Sequence, residues 1–409
     1  MLDLTAGLLV LTALFAYLNH RFIKLPLTIG VMAIALFLSA LLFGLDKIGM
    51  TSLRTQGAAL VGSIDFSEVL MQGMLSLLLF AGALHVDLSE LKSFRWQVGL
   101  LAVFGTLFST VAVGVGLYVI LPFTGISLPL AYCLVFGALI APTDPIAVMA
   151  ILKSAGVPPS LDIVIAGESL FNDGVGVVFF TLLLAMAIAG EPPSLADGAL
   201  LLVREAGGGC LFGLALGYGT FYLLKSIDSY QEEVLITLAA VLGGYALASH
   251  LHVSAPLAMV VVGLIIGNHG RALAMSSNTR AYIDMFWELL DAILNAALFV
   301  LIGLEIIVIP FAPGVALAGA ATIVLTLAAR LLLVGLPVGA LGRFFRLPTG
   351  AWQILTWGGL RGGISVALAL SLPSGPERNL IVALTYIVVV FSVLVQGLTI
   401  GRLARKVMA

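Results

Sequence analysis

Five ionisable side chains, Asp144, Glu168, Asp173, Arg330 and Arg361, stand inside long apolar runs of this sequence. A charge at mid-bilayer costs at least about 2.5–3.5 kcal/mol on insertion scales, so such residues pair, line a cavity or handle an ion. Asp144 lies in LVFGALIAPTDPIAVMAILK, with Thr143, between Pro142 and Pro145. Proline removes a backbone donor and clashes with the preceding turn. Two so close together break the helix and strip several carbonyls of partners. Such backbone is tolerated at membrane depth only when buried in protein or lining a polar cavity. The stripped carbonyls, the Thr143 hydroxyl and the Asp144 carboxylate are hard oxygen donors, which suit hard cations. A simple proline kink would need no aspartate at its centre.

The second cluster is IVIAGESLFNDGVGVVFF, with Glu168, Ser169, Asn172 and Asp173 on one helix. At about 100° per residue they span a stripe roughly 140° wide, with Glu168 over Asn172 and Ser169 over Asp173. Gly167, Gly174 and Gly176 thin the helix so that a neighbour can approach. The third is ILTWGGLRGGISVALALSLP, where Gly358, Gly359, Gly362 and Gly363 surround Arg361 and interrupt another helix. For any one of these charges the alternative is a buried structural ion pair.

The elements that carry them are membrane spans. Hydrophobic residues make up 61% and charged residues 10% of the 409 residues, and the mean hydropathy is +1.17. A soluble domain is about 45–50% apolar and about 25% charged. Spanning helices need about 20 apolar residues, and segmentation of the sequence gives 13 candidates: 4–18, 26–45, 66–86, 97–121, 129–152, 160–189, 199–224, 232–250, 253–268, 285–309, 313–342, 348–372 and 379–401. The runs are continuous rather than short and alternating, which excludes a β-barrel. The first run lacks a basic leader and a small-residue cleavage site, and reads as a retained helix. Cys133 and Cys210 lie within apolar runs and form no disulfide or metal spacing. The net charge of −2 offers nothing to nucleic acid. No stretch reads as a soluble domain.

Of the 19 Lys and Arg residues, 13 fall on one side of that segmentation: Arg21, Lys24, Lys92, Arg95, Lys153, Lys225, Arg271, Arg280, Arg343, Arg346, Arg402, Arg405 and Lys406. The positive-inside rule then puts the N-terminus outside and the C-terminus in the cytoplasm. Segments 1–6 and 8–13 form two six-helix halves. The breaks in segments 5 and 12 are each fifth in their half, as inverted repeats require. Depth along the helix does not choose between Arg330 and Arg361 as the partner of a buried carboxylate.

The remaining polar residues read more plainly. His20, His85, His250, His252 and His269 lie near segment ends and suit interfacial packing, with pH sensing the alternative. Glu288 and Glu305 fall near the ends of segment 10. Asp291 and Asn295, one turn apart, either line a cytoplasmic funnel or bond to a neighbour. Glu232 and Glu233 open segment 8 and suit a solvated helix end, with attraction of cations at the cytoplasmic mouth the alternative.

The stretches PTDPIAV, GESLFNDG, HVSAPLAMVVVGLIIGN, FWELLDAILNAALFVLIGLEI and GGLRGGIS resemble the monovalent cation:proton antiporter-1 family, the bacterial NhaP-type and animal sodium/proton exchangers. The resemblance covers nearly the whole chain. It implies an all-α membrane protein of about 13 helices in two inverted six-helix repeats, one transmembrane domain over 1–409. Within it, 97–189 and 313–407 would form the ion-transporting bundle, and 1–96 and 190–312 the dimerisation scaffold of a homodimer. Elevator-type alternating access in a bacterial inner membrane goes with this fold. The resemblance assigns cation and proton binding to Asp173, with Asp144, Ser169 and the Thr143 carbonyl as further Na+ ligands and Asn172 ordering the site. It pairs Glu168 with Arg330, and makes Pro142, Pro145 and Arg361 the helix-break motif. Asn172 stands where electrogenic relatives of the fold carry a second aspartate, so charge counting gives electroneutral 1:1 exchange of Na+ or Li+ for H+. No cofactor is implied; the ions are cargo. Ala81, in LLLFAGALHVDL, stands where many relatives carry a glutamate.

Four other readings remain open at this point. A K+-preferring antiporter would use the same oxygens. A sodium-coupled symporter would need a roomier polar pocket. An aspartyl protease would use both aspartates catalytically. A passive channel would not need an occluded carboxylate.

Overall fold

The computed structural model describes residues 2–47, 74–144, 146–189, 200–201, 203–307 and 314–408. Within these residues the secondary structure is helical, and ten helices are long and apolar enough to cross a membrane. They are Ala6–Ile23, Leu27–Leu45, Arg95–Thr124, Pro159–Ala189, Val203–Lys225, Tyr230–His250, Ala255–Leu273, Ser277–Glu305, Val315–Ala340 and Pro376–Met408. Shorter apolar helices stand where segments 3, 5 and 12 were placed. Leu75–Leu84 is the described part of segment 3. Segment 5 is split into Leu130–Ile140 and Ile146–Ser154, and segment 12 into Ala351–Trp357 and Gly363–Leu370. Both breaks therefore fall where the prolines and the glycines put them. Pro145 lies outside the described residues.

Two buried apolar clusters organise the helices. One joins residues of 91–180 and 315–404 with Phe15, the 29–35 stretch and the 297–304 end of Ser277–Glu305. The other joins Leu75–Leu84 with residues of 221–287. Pro159–Ala189 touches both, since Leu170 belongs to the second cluster and Leu161, Val164 and Val177 to the first. It packs on Leu130–Ile140, and Val315–Arg330 packs on both Thr106–Ile120 and Pro376–Phe391. This polar-faced helix therefore runs between the two clusters.

Local sequence explains the short connections. The Asp87 carboxylate caps the Leu88–Ser93 helix by accepting from the Ser89 and Glu90 amides, the usual service of an Asp at this position. The Ser89 hydroxyl, together with those amide bonds, holds the Asp87 carboxyl below the ordinary range. Ser254 and Ser276 cap Ala255–Ile265 and Ser277–Glu305 in the same way.

Candidate cation site

The two breaks meet each other, and their stripped backbone groups are satisfied across the contact. The Asp144 amide donates to Leu360 O at 2.8 Å. Arg361, 2% exposed, reaches back and donates through Nη1 to the carbonyls of Ala141 and Pro142, the latter at 2.9 Å. Those carbonyls end the Leu130–Ile140 half-helix, where the helix dipole is negative and a guanidinium is favoured. Arg330 Nε donates to Leu355 O at 3.1 Å. Gln396 Nε2 donates to Trp357 O at 2.8 Å, and Ser392 Oγ accepts from the Arg361 amide at 3.0 Å. Ser392 in turn donates to Gln396 Oε1 at 2.6 Å. The cost of breaking two helices in hydrocarbon is thus offset by side chains from other spans.

Close approach of the broken strands depends on two glycines. A Cβ on Gly176 would lie 2.3 Å from Pro142 Cγ, so only glycine lets the first break lie against Pro159–Ala189. A Cβ on Gly362 would lie 2.0 Å from Asp144 Oδ2. The Asp144 carboxylate therefore sits against the start of the Gly363–Leu370 half-helix, the positive end of its dipole.

The polar stripe on Pro159–Ala189 divides into two edges. Glu168 and Asn172 line a small pocket with Thr106, Ala141 and Arg330. Glu168 accepts two parallel bonds from Arg330, Nη1 to Oε1 and Nη2 to Oε2 at 3.0 Å. Asn172 Oδ1 accepts from the Thr143 amide at 3.3 Å and its Nδ2 donates to Thr143 Oγ1 at 2.9 Å. Ser169 and Asp173 form the other edge and line a cavity of about 130 Å³ with Pro142, Thr143 and Asp144. That volume holds a monovalent cation with several waters. Ser169 Oγ donates to Thr143 O, which sets two oxygens side by side at the wall.

Every intramembrane charge singled out in the sequence thus gathers around the two breaks, although Arg330 and Arg361 do different work. Arg330 faces Glu168 and Arg361 faces backbone carbonyls. Position along a helix could not have separated them; the crossing of the breaks does. Asn295, left open between funnel and neighbour, lines the cavity and donates through Nδ2 to Asp291 O at 2.9 Å. Four positions escaped the sequence reading. Ser365 and Gly82 line the cavity, and Ser392 and Gln396 support the second break. The lone Gln396 in the apolar run VVVFSVLVQGLTI was the available signal. On the third helix Ala81 is buried in the second apolar cluster, while Gly82 faces the cavity with open space around it.

A family model described as the transmembrane sodium/hydrogen exchanger matches residues 10–406. The chain belongs to the sodium/hydrogen exchanger family. It is 55% identical to the Na(+)/H(+) antiporter NhaP of Pseudomonas aeruginosa over 100% of this chain and 97% of that protein. It is 37% identical to the Na(+)/H(+) antiporter NhaH of Halobacillus dabanensis, with 91% of each chain covered. The sodium proton antiporter MjNhaP1 of Methanocaldococcus jannaschii shares the fold, with a TM-score of 0.75 over 99% of this chain and 97% of that one at 20% identity. Sodium/hydrogen exchangers are transporters, not enzymes, which sets aside the reading of the two aspartates as protease residues.

Proposed function

We propose that this chain exchanges Na+ for H+ across the bacterial inner membrane, one for one, with Asp173 as the group that holds either ion. The observation that carries this reading is the division of the polar stripe: Asp173 and Ser169 share a cavity with Asp144, while Glu168 is closed off by Arg330. A bare carboxylate is unfavourable in a low-dielectric bundle. Asp173 is therefore neutralised by a proton or by a cation before the site moves, and competition for one group makes exchange obligatory. Asp144, Ser169 and the Thr143 carbonyl lend further oxygens to the cation. Asn172 keeps Thr143 in place through its two bonds. One exchanging carboxylate carries one charge either way, which gives electroneutral stoichiometry.

Membership of the sodium/hydrogen exchanger family supports an elevator motion. The bundle built on 97–189 and 313–407 carries the breaks and would slide against a scaffold formed by 1–96 and 190–312, through which two copies would form a homodimer. Thirteen spans in two inverted six-helix repeats, an outside N-terminus and a cytoplasmic C-terminus complete the proposal.

Dequenching of a pH dye in everted vesicles, on adding Na+, Li+ or K+ separately, tests it. Dequenching by Na+ and Li+ is expected. A response to K+ alone would replace sodium by potassium in the proposal. In proteoliposomes the rate should not change when the membrane potential is clamped; net charge movement would overturn the 1:1 stoichiometry.

A further inference from the structure

The second broken span contributes a hydroxyl that the site, as described so far, does not use. Ser365 is 1% exposed and lines the same cavity as Asp144, Thr143, Ser169 and Asp173. Among the described residues its Oγ has no hydrogen-bond partner. Several buried hydroxyls of mid-helix residues in this protein settle on the carbonyl four residues back. Ser39 bonds to Ala35 O, Thr110 to Thr106 O, Thr322 to Ala318 O and Thr385 to Ile381 O. Ser365 lies in the first turn of Gly363–Leu370, and the residue four positions back is Arg361, on the non-helical side of the break. The interruption that creates the site therefore also removes the usual partner of this hydroxyl. A buried hydroxyl without a partner loses its hydration for no return, unless something in the cavity restores it.

We propose that Ser365 Oγ is a further oxygen ligand of the transported cation, bringing the second broken span into direct contact with the ion. This rests on the reading of Asp173 and Asp144 as the ion-binding pair. The hydroxyl oxygen has two lone pairs and can face a cation while its proton turns away. It would place a neutral oxygen on the wall formed by Asn295, Leu298 and Ile364. The Asp144 carboxylate, seated against Gly362, supplies charge from the same end of that half-helix. The ion would then touch both breaks, so that binding ties the two halves of the bundle together.

The test measures sodium-dependent thermal stabilisation of the purified full-length protein in detergent, alongside Na+ titrations of exchange in everted vesicles. For Ser365→Ala the half-saturating Na+ concentration should rise roughly three- to ten-fold in both assays, the effect of losing one neutral oxygen contact. Ser365→Thr keeps the oxygen and should keep the original half-saturation. A purely packing role predicts no change in half-saturation for Ser365→Ala, or equal shifts in both variants; either result overturns the proposal. The melting temperature without Na+ separates loss of folding from loss of the ligand. Asp173→Asn, measured in parallel, keeps the two readings apart. Sodium stabilisation that survives in that variant would overturn the assignment of Asp173, whatever Ser365→Ala shows.

Discussion

The two carboxylates of Pro159–Ala189 are five residues apart and meet opposite surroundings. Glu168 is 2% exposed and held by both terminal nitrogens of Arg330. Asp173 is 9% exposed and opens on the cavity it shares with Asp144. The helical period turns one toward Val315–Arg330 and the other toward the first break. A carboxylate matched by a fixed guanidinium has no need of a mobile counter-ion. One that shares a cavity with a second carboxylate does. The same side-chain chemistry thus yields a brace on one edge of the helix and, on the other, the group proposed here to exchange ions.

The most drastic way to break this contrast is Asp173→Asn. It should abolish sodium-driven proton flux in vesicles while leaving the melting temperature near that of the original protein; substantial remaining flux would mean that the exchange group lies elsewhere. Glu168→Ala should act the other way round. Removing one partner of a buried pair leaves the other unpaired and typically costs about 3–5 kcal/mol, so the melting temperature should fall steeply and transport with it. The double change Glu168→Leu with Arg330→Leu should recover part of that loss, since apolar replacement of both partners is often tolerated. Arg330 also serves Leu355 O, so recovery should be incomplete. An unchanged melting curve for Glu168→Ala would show that the brace is not one.

Gly362→Ala probes the boundary between the two edges. The new methyl would press on the Asp144 carboxylate, 2.0 Å from Oδ2. Half-saturating Na+ should rise well beyond the effect of Ser365→Ala, with the fold retained as judged by melting. The smallest effect is expected for Gln396→Leu, which leaves Trp357 O without its side-chain donor and the Ser392 hydroxyl without its acceptor. An unmet buried polar group costs about 1–3 kcal/mol, read as a modest drop in melting temperature with sodium affinity little changed.

Much of this was legible in the residues themselves. Prolines and glycines break helices by local sterics, so both interruptions could be placed to within a few residues. Hydropathy located the spans because a bilayer demands continuous apolar runs. The stripe at 168, 169, 172 and 173 followed from helical period alone. That period could not say which edge of the stripe faced the cavity and which a guanidinium, because the answer depends on neighbours that are distant in the chain. Glu168 meets Arg330 across 162 residues, and Arg361 meets Ala141 across 220. Ser392 and Gln396 were passed over for the same reason: a lone hydroxyl or amide in an apolar run acquires meaning only beside the backbone group it satisfies.

The third helix is a further case. The family resemblance points to Ala81, whereas Gly82 is the residue that fronts the cavity. A shift of one position turns a helical side chain by about 100°, and only packing fixes which way the helix is turned. The sequence by itself determined that the chain lives in a membrane, where its helices break, and which rare polar residues those breaks must serve. Tertiary structure decided the pairing: Arg330 with Glu168, Arg361 with the carbonyls of Ala141 and Pro142, and Asp173 with Asp144 around a cavity. Local rules act over one or two helical turns, and these partners are brought together only when two interrupted helices cross.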